Sequence, residues 1–568
     1  MLKIISFTLV FTLSFSSLEA QMWNGTDTLY GNEWIDYDQS YFKVLVAEDG
    51  MYRLSKSALE SAGVPTNSIN GARFQLFHMG QEVPVYASTD LLFNTSDYIA
   101  FYGKKNRGDL DRFVYANPDE GMLNPEYSLV SDSAAYFLTW APVGTPVNRF
   151  ENVSNDLNNP PAAEAFYLER TLTNFFSSNI KKSNSDFVAE STFDEGEGFG
   201  NTFANAHEIT LSTSNVMAAG GDATVTVRLV TNSGAHEIAI LFNNNEEESD
   251  SPNGFALKEY SFNVAASSLA ESNTLTIQNN ADEFDRTSVS NVWLTYPRSF
   301  NFNGENQFIF TVKGGSSSRY IEIENFNTEG QAPVLYDITN NIRIVTTEES
   351  GKVKITLPAS TGDRTLILSS EVTGYNNVSA TATDFTDYRS SSVQFIIISN
   401  SKLYNDGNGA NFVNEYAQYR TTSQGGNFNT QVVNIQELYD QFAYGINRHF
   451  ISIRNFGHYI KKEWDDPQYI FIIGKGRDFY QVRTNAQLIG DNASTFTVPT
   501  FGSPGADNLL MGSTNSNTPI IPIGRIAVSS PEDIKNYLDK MQIMESGGGA
   551  QTIEDQLWKK QLLHLGGG

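Results

Sequence analysis

Alternating hydrophobic and polar positions dominate the chain up to about residue 385. Residues 224–229 and 352–357, for example, alternate along short segments that are rich in β-branched side chains. Clusters of Asn, Gly and Ser separate such segments. A two-residue period with this punctuation is typical of strands that bury one face. We therefore predict β-sandwich-like domains over residues 165–388.

The N-terminal region shows strand patterns together with one short helix. Residues 42–46 alternate, residues 49–50 (Asp-Gly) are a turn signal, and residues 51–54 resume the alternation. The two segments are therefore expected to pair as a hairpin. Residues 55–59 then begin a short helix. We predict a β-rich or α+β domain over residues 21–164.

From about residue 390 the pattern changes. Residues 395–398 form a continuous apolar run, which a parallel strand covered on both faces requires. Helix and strand patterns then alternate: residues 412–419 (helix), 431–433 (strand), 450–460 (helix) and 469–473 (strand). This alternation predicts a doubly wound α/β domain with a parallel sheet, which we place at residues 389–568.

The last clear helix has a recognisable start. Ser530 can cap it, Pro531 suits the first helical position, and Asp533 completes a capping-box pattern. The apolar residues behind this start recur at helical spacing: Ile534, Tyr537, Leu538, Met541 and Met544. We therefore predict that a helix begins at this point.

Composition limits the classes of function. A chain of 568 residues predicts about three to four domains, and 40% hydrophobic residues supply their cores. The net charge of −27 argues against nucleic-acid binding, which needs clustered Lys and Arg. The sequence contains no cysteine, which excludes disulfides and thiolate zinc sites within it. We predict no cofactor and leave a calcium requirement open.

The six histidines do not form a zinc-binding motif such as HExxH. We expect surface or packing roles for His449 and His458, which lie nine residues apart in one helical segment. His564 lies among leucines and is expected to be structural.

The first residues have the pattern of a secretory signal. Lys3 is basic, residues 4–15 are apolar, and residues 18–20 end in a small residue before Gln21. The apolar run is too short to span a bilayer comfortably, and no later run reaches that length. We predict that export removes residues 1–20.

Two stretches of the α/β region carry a family resemblance. Residues 431–474 contain QVVNI, ELYDQFAYG, NRHFISIRNFGHYIKK and EWDDPQYIFIIG; residues 498–545 contain VPTFGSPGADNLLMGS and PIIPIGRIAVSSPEDIKNYLDKMQIME. This arrangement resembles the gingipain-type cysteine peptidases, family C25, and within them the PorU-type sortases of the type IX secretion system. The N-terminal string YFKVLVAEDGMYRLSKSALESAGV (residues 41–64) also resembles the opening domain of PorU-type proteins.

The resemblance implies an exported cysteine-type peptidase at the cell surface or outer membrane. Its implied substrates are secreted cargo proteins with a C-terminal sorting domain, which is cleaved off. The acyl intermediate of such enzymes can pass to an amine of a surface glycolipid. An outer-membrane protein is a further implied partner, and nucleic acid is not.

Catalysis of this family type needs a thiolate activated by an imidazole. Because the chain has no cysteine, the catalytic Cys and His are expected beyond Gly568, and the 568-residue chain is expected to be inactive by itself. The alternative is a non-catalytic cell-surface binding or adhesion protein with a gingipain-like fold. Lys475, where gingipain-like relatives often have Asp, favours this alternative.

Two loops are candidates for the site, because ligands of open parallel sheets bind beyond the carboxyl ends of the strands. Residues 474–478 (GKGRD) follow one apolar strand, and residues 498–508 lead towards the next. Both are expected on one rim of the sheet. By resemblance, Asp507 is the catalytic-site acid, which either orients the imidazole or lines the substrate pocket. Alternatively, Asp507 forms an Asx-turn with the backbone, and Arg525 is expected to close a turn rather than touch substrate.

Overall fold

The computed structural model describes residues 22–182, 190–484, 496–512, 518–546 and 552. The predicted signal at residues 1–20 and His564 lie outside this part of the chain. Within it, no helix has the length and apolar character needed to cross a membrane.

The N-terminal region is built from two facing β-sheets. One sheet has the strand order Ala380–Thr383, Tyr41–Val46, Ala134–Trp140, Phe74–His78 and Gln81–Val83. The other has the order Asn376–Asn377, Gly50–Ser55, Tyr98–Gly103 and Val85–Ala87. The predicted helix is present as Lys56–Ser61, and the Ser55 side chain accepts a hydrogen bond from the backbone N–H of Ala58.

The predicted hairpin in this region is wrong. Tyr41–Val46 pairs with Ala134–Trp140, whereas Gly50–Ser55 pairs with Tyr98–Gly103 in the other sheet. Val44 and Leu54 belong to the same buried core between the two sheets. The chain therefore crosses from one sheet to the other at the Asp-Gly turn. The crossing places the two strands in facing sheets, where both bury apolar side chains in the core between them.

Residues from much later in the sequence complete these two sheets. Ala380–Thr383 is antiparallel to Tyr41–Val46, and Asn376–Asn377 is parallel to Gly50–Ser55. Ala380 is buried in the same core. Residues 376–383 thus belong structurally with the N-terminal region, although the sequence pattern groups them with residues 165–388.

The middle region contains two pairs of β-sheets, each with its own apolar core. In the first pair, one sheet has the strand order Tyr167–Asn174, Thr287–Arg298, Asp222–Thr231 and Leu257–Ala265. The sheet facing it has the order Ala206–Ser212, Ser272–Asn279, Ile238–Phe242 and Asn245–Asp250. In the second pair, one sheet has the strand order Glu151–Asn152, Ile342–Val345, Val334–Asp337, Arg364–Ser369 and Gln307–Val312. The other has the order Arg319–Glu324, Lys352–Leu357 and Thr347–Glu349. Two short sheets pair Met22–Trp23 with Thr28–Leu29 and Ser178–Ile180 with Gly198–Gly200.

The C-terminal region contains a four-stranded parallel sheet in the order Thr430–Asn434, Phe395–Ser399, Tyr469–Ile473 and Ile523–Ile526. Its helices are Phe412–Thr421, Ile435–Phe442, Ile451–Glu463, Phe479–Thr484 and Pro531–Glu545. Ser530 and Asp533 form the predicted capping box.

Helices cover both faces of this parallel sheet. Within the strand Phe395–Ser399, Phe395 and Ile397 join the core beneath Phe412–Thr421 and Pro531–Glu545. Ile396 and Ile398 join the opposite core, which contains the helix Ile451–Glu463. Successive side chains therefore point to different faces, as in a doubly wound sheet. The carboxyl ends of its strands form one rim, where the candidate loops lie.

Candidate functional site at the carboxyl rim of the parallel sheet

The rim is formed by four segments that contact one another directly. The backbone N–H of Gly474 donates to the carbonyl of Ile526 at 3.0 Å. Asn400 follows the strand Phe395–Ser399, and its Nδ2 donates to the Thr497 carbonyl at 3.0 Å. The Thr497 N–H in turn donates to the Lys475 carbonyl at 3.0 Å. Residues 496–512, called here the rim loop, are therefore held against the ends of the strands.

Asp507 lies in the rim loop and forms a two-point ion pair with Arg525. Arg525 Nε is 2.7 Å from Asp507 Oδ2, and Arg525 Nη2 is 2.8 Å from Oδ1. The hydroxyl of Thr500 also donates to Oδ1 at 3.0 Å. The Asp507 side chain is 23% exposed and the Arg525 side chain 9%. The Asp507 carboxylate thus accepts hydrogen bonds from the side chains of Arg525 and Thr500. The bidentate geometry of the Arg–carboxylate pair fixes the orientation of both partners.

Arg525 has a larger role than the turn closure expected from the sequence. It lies in the strand Ile523–Ile526, and its guanidinium also donates to three carbonyls: Gly474 at 2.9 Å, Val498 at 3.0 Å and Pro499 at 2.7 Å. An arginine between apolar residues of a covered strand needs acceptors, because a buried charge is costly unless it is bonded. That rule is the signal that could have identified Arg525 from the sequence.

The loop 474–478 reaches the same group of residues. Through Arg525, Asp507 is connected to the carbonyl of Gly474. Asp478 accepts a hydrogen bond from the Ser503 hydroxyl at 3.2 Å. Gly474 has φ of +147°, and a Cβ there would lie 2.3 Å from Thr497 Oγ1. Both candidate loops are therefore on one rim, and Gly474 is needed for close packing.

A segment of the middle region, residues 190–200, lies across the rim loop; we call it the covering segment. Its Phe193 ring contacts Phe450, Phe479 and Phe501, with centroid distances of 6.0, 5.4 and 5.6 Å. Gly502 has φ of +70°, and a Cβ there would lie 1.9 Å from the Ser191 carbonyl oxygen. The contact between covering segment and rim loop is thus closely packed.

The buried side chains of Lys181 and Glu197 lie at this contact. Lys181 Nζ is 3.3 Å from Glu197 Oε1, and the two side chains are 7% and 5% exposed. Lys181 also donates to the carbonyls of Glu190 and Ser503. Burial raises the pKa of Glu197 to about 7, against the opposing effect of Lys181. No motif or periodicity in the sequence points to this pair, because its members are distant from the rim loop in sequence.

A shallow concavity of about 440 Å³ lies between the covering segment and the rim loop. It is lined by Glu190, Ser191, Thr192, Ala506, Asn508 and Leu509. Asp507 therefore neighbours this concavity in sequence, while its carboxylate is directed to Arg525. The rim loop thus lies beside the concavity, and the carboxylate of Asp507 in that loop has a fixed orientation.

The two described histidines of the α/β region have packing roles. His449 is fully buried and bonds Asp111 of the N-terminal region. His458 is partly buried, and its Nε2 is 3.4 Å from the Gly512 carbonyl oxygen. Burial, with a further contribution from Arg454, lowers the pKa of His458 to about 4. Among the described residues, no group of His, Asp and Glu has an arrangement that could hold a metal ion.

Comparisons with known proteins agree with the resemblance seen in the sequence. Residues 388–568 match the family model of peptidase family C25. The fold is similar to the crystal structure of dimeric latent PorU from Porphyromonas gingivalis, with a TM-score of 0.58 and 14% identity. That match covers 90% of this chain and 50% of the PorU chain, so the chain spans half the length of that structure.

A match to a carbohydrate-binding domain is too weak to support a relationship of fold. The CBM36-1 domain of a multidomain xylanase from the hindgut metagenome of Trinervitermes trinervoides matches with 12% identity and a TM-score of 0.16. The match covers 22% of this chain and 96% of that domain. A TM-score of 0.16 is too low to support any conclusion about the fold. No curated protein matches the sequence.

Proposed function

We propose, from the match of residues 388–568 to peptidase family C25, that this chain is part of an exported cysteine-type peptidase. Within that family we propose a sortase of the type IX secretion system, which removes C-terminal sorting domains from secreted cargo. The family match is the observation that carries the proposal. The similarity of fold to PorU over 90% of the chain supports it.

The chemistry requires groups in addition to the residues of the rim. The catalytic thiolate would attack the scissile carbonyl, and an imidazole would protonate the leaving amine. Water or an amine of a surface glycolipid would then release the acyl group. Since the sequence contains no cysteine, we propose that sequence following Gly568 supplies both the Cys and the His.

Asp507 would contribute to this reaction by positioning. A carboxylate offers about four lone-pair directions, and Arg525 and Thr500 already donate three hydrogen bonds to this one. Little capacity is left for an imidazole N–H. Of the two roles implied by the family resemblance, the geometry therefore favours a wall of the substrate pocket over orientation of the histidine.

A non-catalytic surface-binding protein is the second candidate function. Lys475 supports it, because a cation replaces the acid that gingipain-like relatives often carry at this point of the rim. In the structure the Lys475 backbone carbonyl accepts a hydrogen bond from the rim loop, a contact that does not depend on the side chain. The position therefore retains its structural role in either case.

The test compares the 568-residue chain with a longer product of the same gene that continues past Gly568. Both are incubated with a cargo C-terminal domain, and its release is followed by mass spectrometry. The longer protein should cleave the cargo and react with a thiol-directed inhibitor. The same protein with its cysteine replaced by alanine is the control and should be inactive.

Two outcomes would contradict the proposal. Cleavage by the 568-residue chain would rule out cysteine catalysis, because that chain has no thiol. Absence of cleavage by the longer protein, when folded and supplied with cargo, would favour the surface-binding function instead.

A further inference from the structure

Arg454 is a buried arginine that forms no ion pair with a described residue. It lies in the helix Ile451–Glu463 and is 3% exposed. Its Nε is buried and has no hydrogen-bond partner there. No carboxylate of the described residues forms an ion pair with it, and burial alone lowers its pKa to about 10. The guanidinium therefore remains charged at neutral pH in an apolar environment.

The other buried arginines of the described residues show what is missing at Arg454. Each of them lies beside a carboxylate: Arg298 with Glu169 at 3.7 Å, Arg343 with Glu371 at 3.3 Å, and Arg364 with Asp337 at 3.4 Å. Buried charges in proteins are normally paired in this way, because removing an ion from water is costly. Arg454 is the exception.

The contacts of Arg454 do not replace a carboxylate. Its guanidinium carbon is 5.7 Å from the centre of the Phe501 ring, a cation–π contact that is weak compared with the loss of hydration. His458, one turn further along the helix, is neutral at pH 7 because its pKa is about 4. A neutral imidazole cannot balance the charge of the guanidinium. Among the described residues, no negative charge is therefore paired with the guanidinium of Arg454.

We propose that Arg454 binds a small planar oxyanion taken from solution, of the class of formate, bicarbonate or nitrate. The planar guanidinium fork matches two oxygens held in one plane. A side chain that is 3% exposed offers no surface for a larger ligand. The proposed anion site is independent of the peptidase reaction and adds a bound ligand to the structure.

Bound anion at this point would stabilise the rim loop. The side chains of Phe450, Arg454 and His458 recur at four-residue spacing on one face of the helical segment. Phe450 and Arg454 both contact Phe501 of the rim loop, and His458 contacts the Gly512 carbonyl. Neutralising Arg454 would therefore strengthen the packing of the helix against the loop that carries Asp507.

The test measures formate binding to the 568-residue chain by calorimetry and by thermal unfolding. Ionic strength is held constant with a bulky sulfonate buffer that cannot enter the site. The wild type should bind formate saturably, and its unfolding temperature should rise with formate concentration. Formate should also shift the imidazole NMR signals of His458.

Three variants distinguish a specific site from a general salt effect. Arg454→Met should remove the formate dependence, and Arg454→Lys should weaken binding at least tenfold, because an ammonium group lacks the planar fork. Lys461→Met removes an exposed cation from the same helix and should behave as wild type. If Arg454→Met does not fold, the comparison of wild type with Arg454→Lys decides. A wild type without formate binding, or equal binding by the Arg454 variants, would overturn the proposal.

Discussion

His449 Nε2 lies 2.7 Å from Asp111 Oδ1, and neither side chain is exposed. His449 Nδ1 accepts the backbone N–H of Ile451 at 3.2 Å, so the proton of the neutral imidazole is on Nε2 and is donated to Asp111. The other oxygen of Asp111 accepts the N–H of Leu129 at 2.7 Å. A buried polar network thus joins the N-terminal region to the α/β region.

Replacing Asp111 with alanine should lower the free energy of unfolding by about 2–6 kcal/mol, at about 1–3 kcal/mol for each buried donor that is left unsatisfied. The change leaves two buried donors, His449 Nε2–H and the Leu129 N–H, without their acceptor. Urea denaturation followed by tryptophan fluorescence measures it. The matched control is Asp387→Ala, which breaks an exposed pair with Arg389 and should cost less than about 1 kcal/mol. Equal effects of the two substitutions would show that the buried network contributes no special stability.

The predicted signal at residues 1–20 gives a second expectation. Export should remove this segment, because its basic, apolar and small-residue parts follow the order of a secretory signal. N-terminal sequencing of the exported protein should begin at Gln21. Replacing Ala20 with a bulky residue should slow processing, since the cleavage site requires a small side chain. Recovery of exported protein that begins at Met1 would contradict the prediction.

Glu197 should make stability depend on pH near neutrality. Its folded pKa of about 7 exceeds the unfolded value of about 4.3, so the folded state binds a proton that the unfolded chain has released. This contribution is complete below pH ~4.3 and is lost as pH rises through about 7. Its upper limit is about 4 kcal/mol.

The variant Glu197→Gln should therefore show a smaller fall in stability between pH 5 and about 7.5 than the wild type. Urea midpoints measured across this range give the comparison. The control is Glu195→Gln in the same covering segment, because Glu195 is exposed and should keep the wild-type pH dependence. An unchanged slope in Glu197→Gln would assign the pH dependence to other groups.

The sequence was most informative where structure depends on local pattern. The capping box of Ser530 and Asp533 and the two-sided strand at residues 395–398 follow from neighbouring residues, and both are present. The wrong hairpin at residues 42–54 shows the limit. An Asp-Gly turn between alternating segments is compatible with pairing within one sheet or with crossing between two, and only contacts with residues 98–140 decide.

The candidate site divides in the same way. The placement of both loops on one rim follows from the rule for parallel sheets. The bonding of Arg525 and the pair of Lys181 with Glu197 depend on contacts between segments far apart in sequence. No periodicity or motif records such contacts. The partner of Asp507 therefore could not be chosen from the sequence between an imidazole, a substrate and the backbone.

The last prediction concerns the ion pair of Asp507 with Arg525. Asp507→Asn and Arg525→Met should each lower the free energy of unfolding, by about 1–3 kcal/mol, because buried hydrogen-bonding groups lose their partners. The double variant should cost less than the sum of the two, with a coupling of about 0.5–3 kcal/mol. Urea denaturation supplies the three values, and faster amide hydrogen exchange in residues 498–508 should accompany each change. Additive effects would show that the pair does not act as a unit.

The same variants, made in the longer protein, distinguish the two proposed roles of Asp507. If the carboxylate holds the substrate pocket in place, Asp507→Asn and Arg525→Met should lower kcat/KM to a similar extent and leave its pH profile unchanged. If it orients the catalytic imidazole, Asp507→Asn alone should move the limb of the profile that reports the histidine, because the carboxylate supports the charged form of that group. The hydrogen bonds from Arg525 and Thr500 lead us to expect the first result. A shift of the profile in Asp507→Asn that is absent in Arg525→Met would contradict the positioning role.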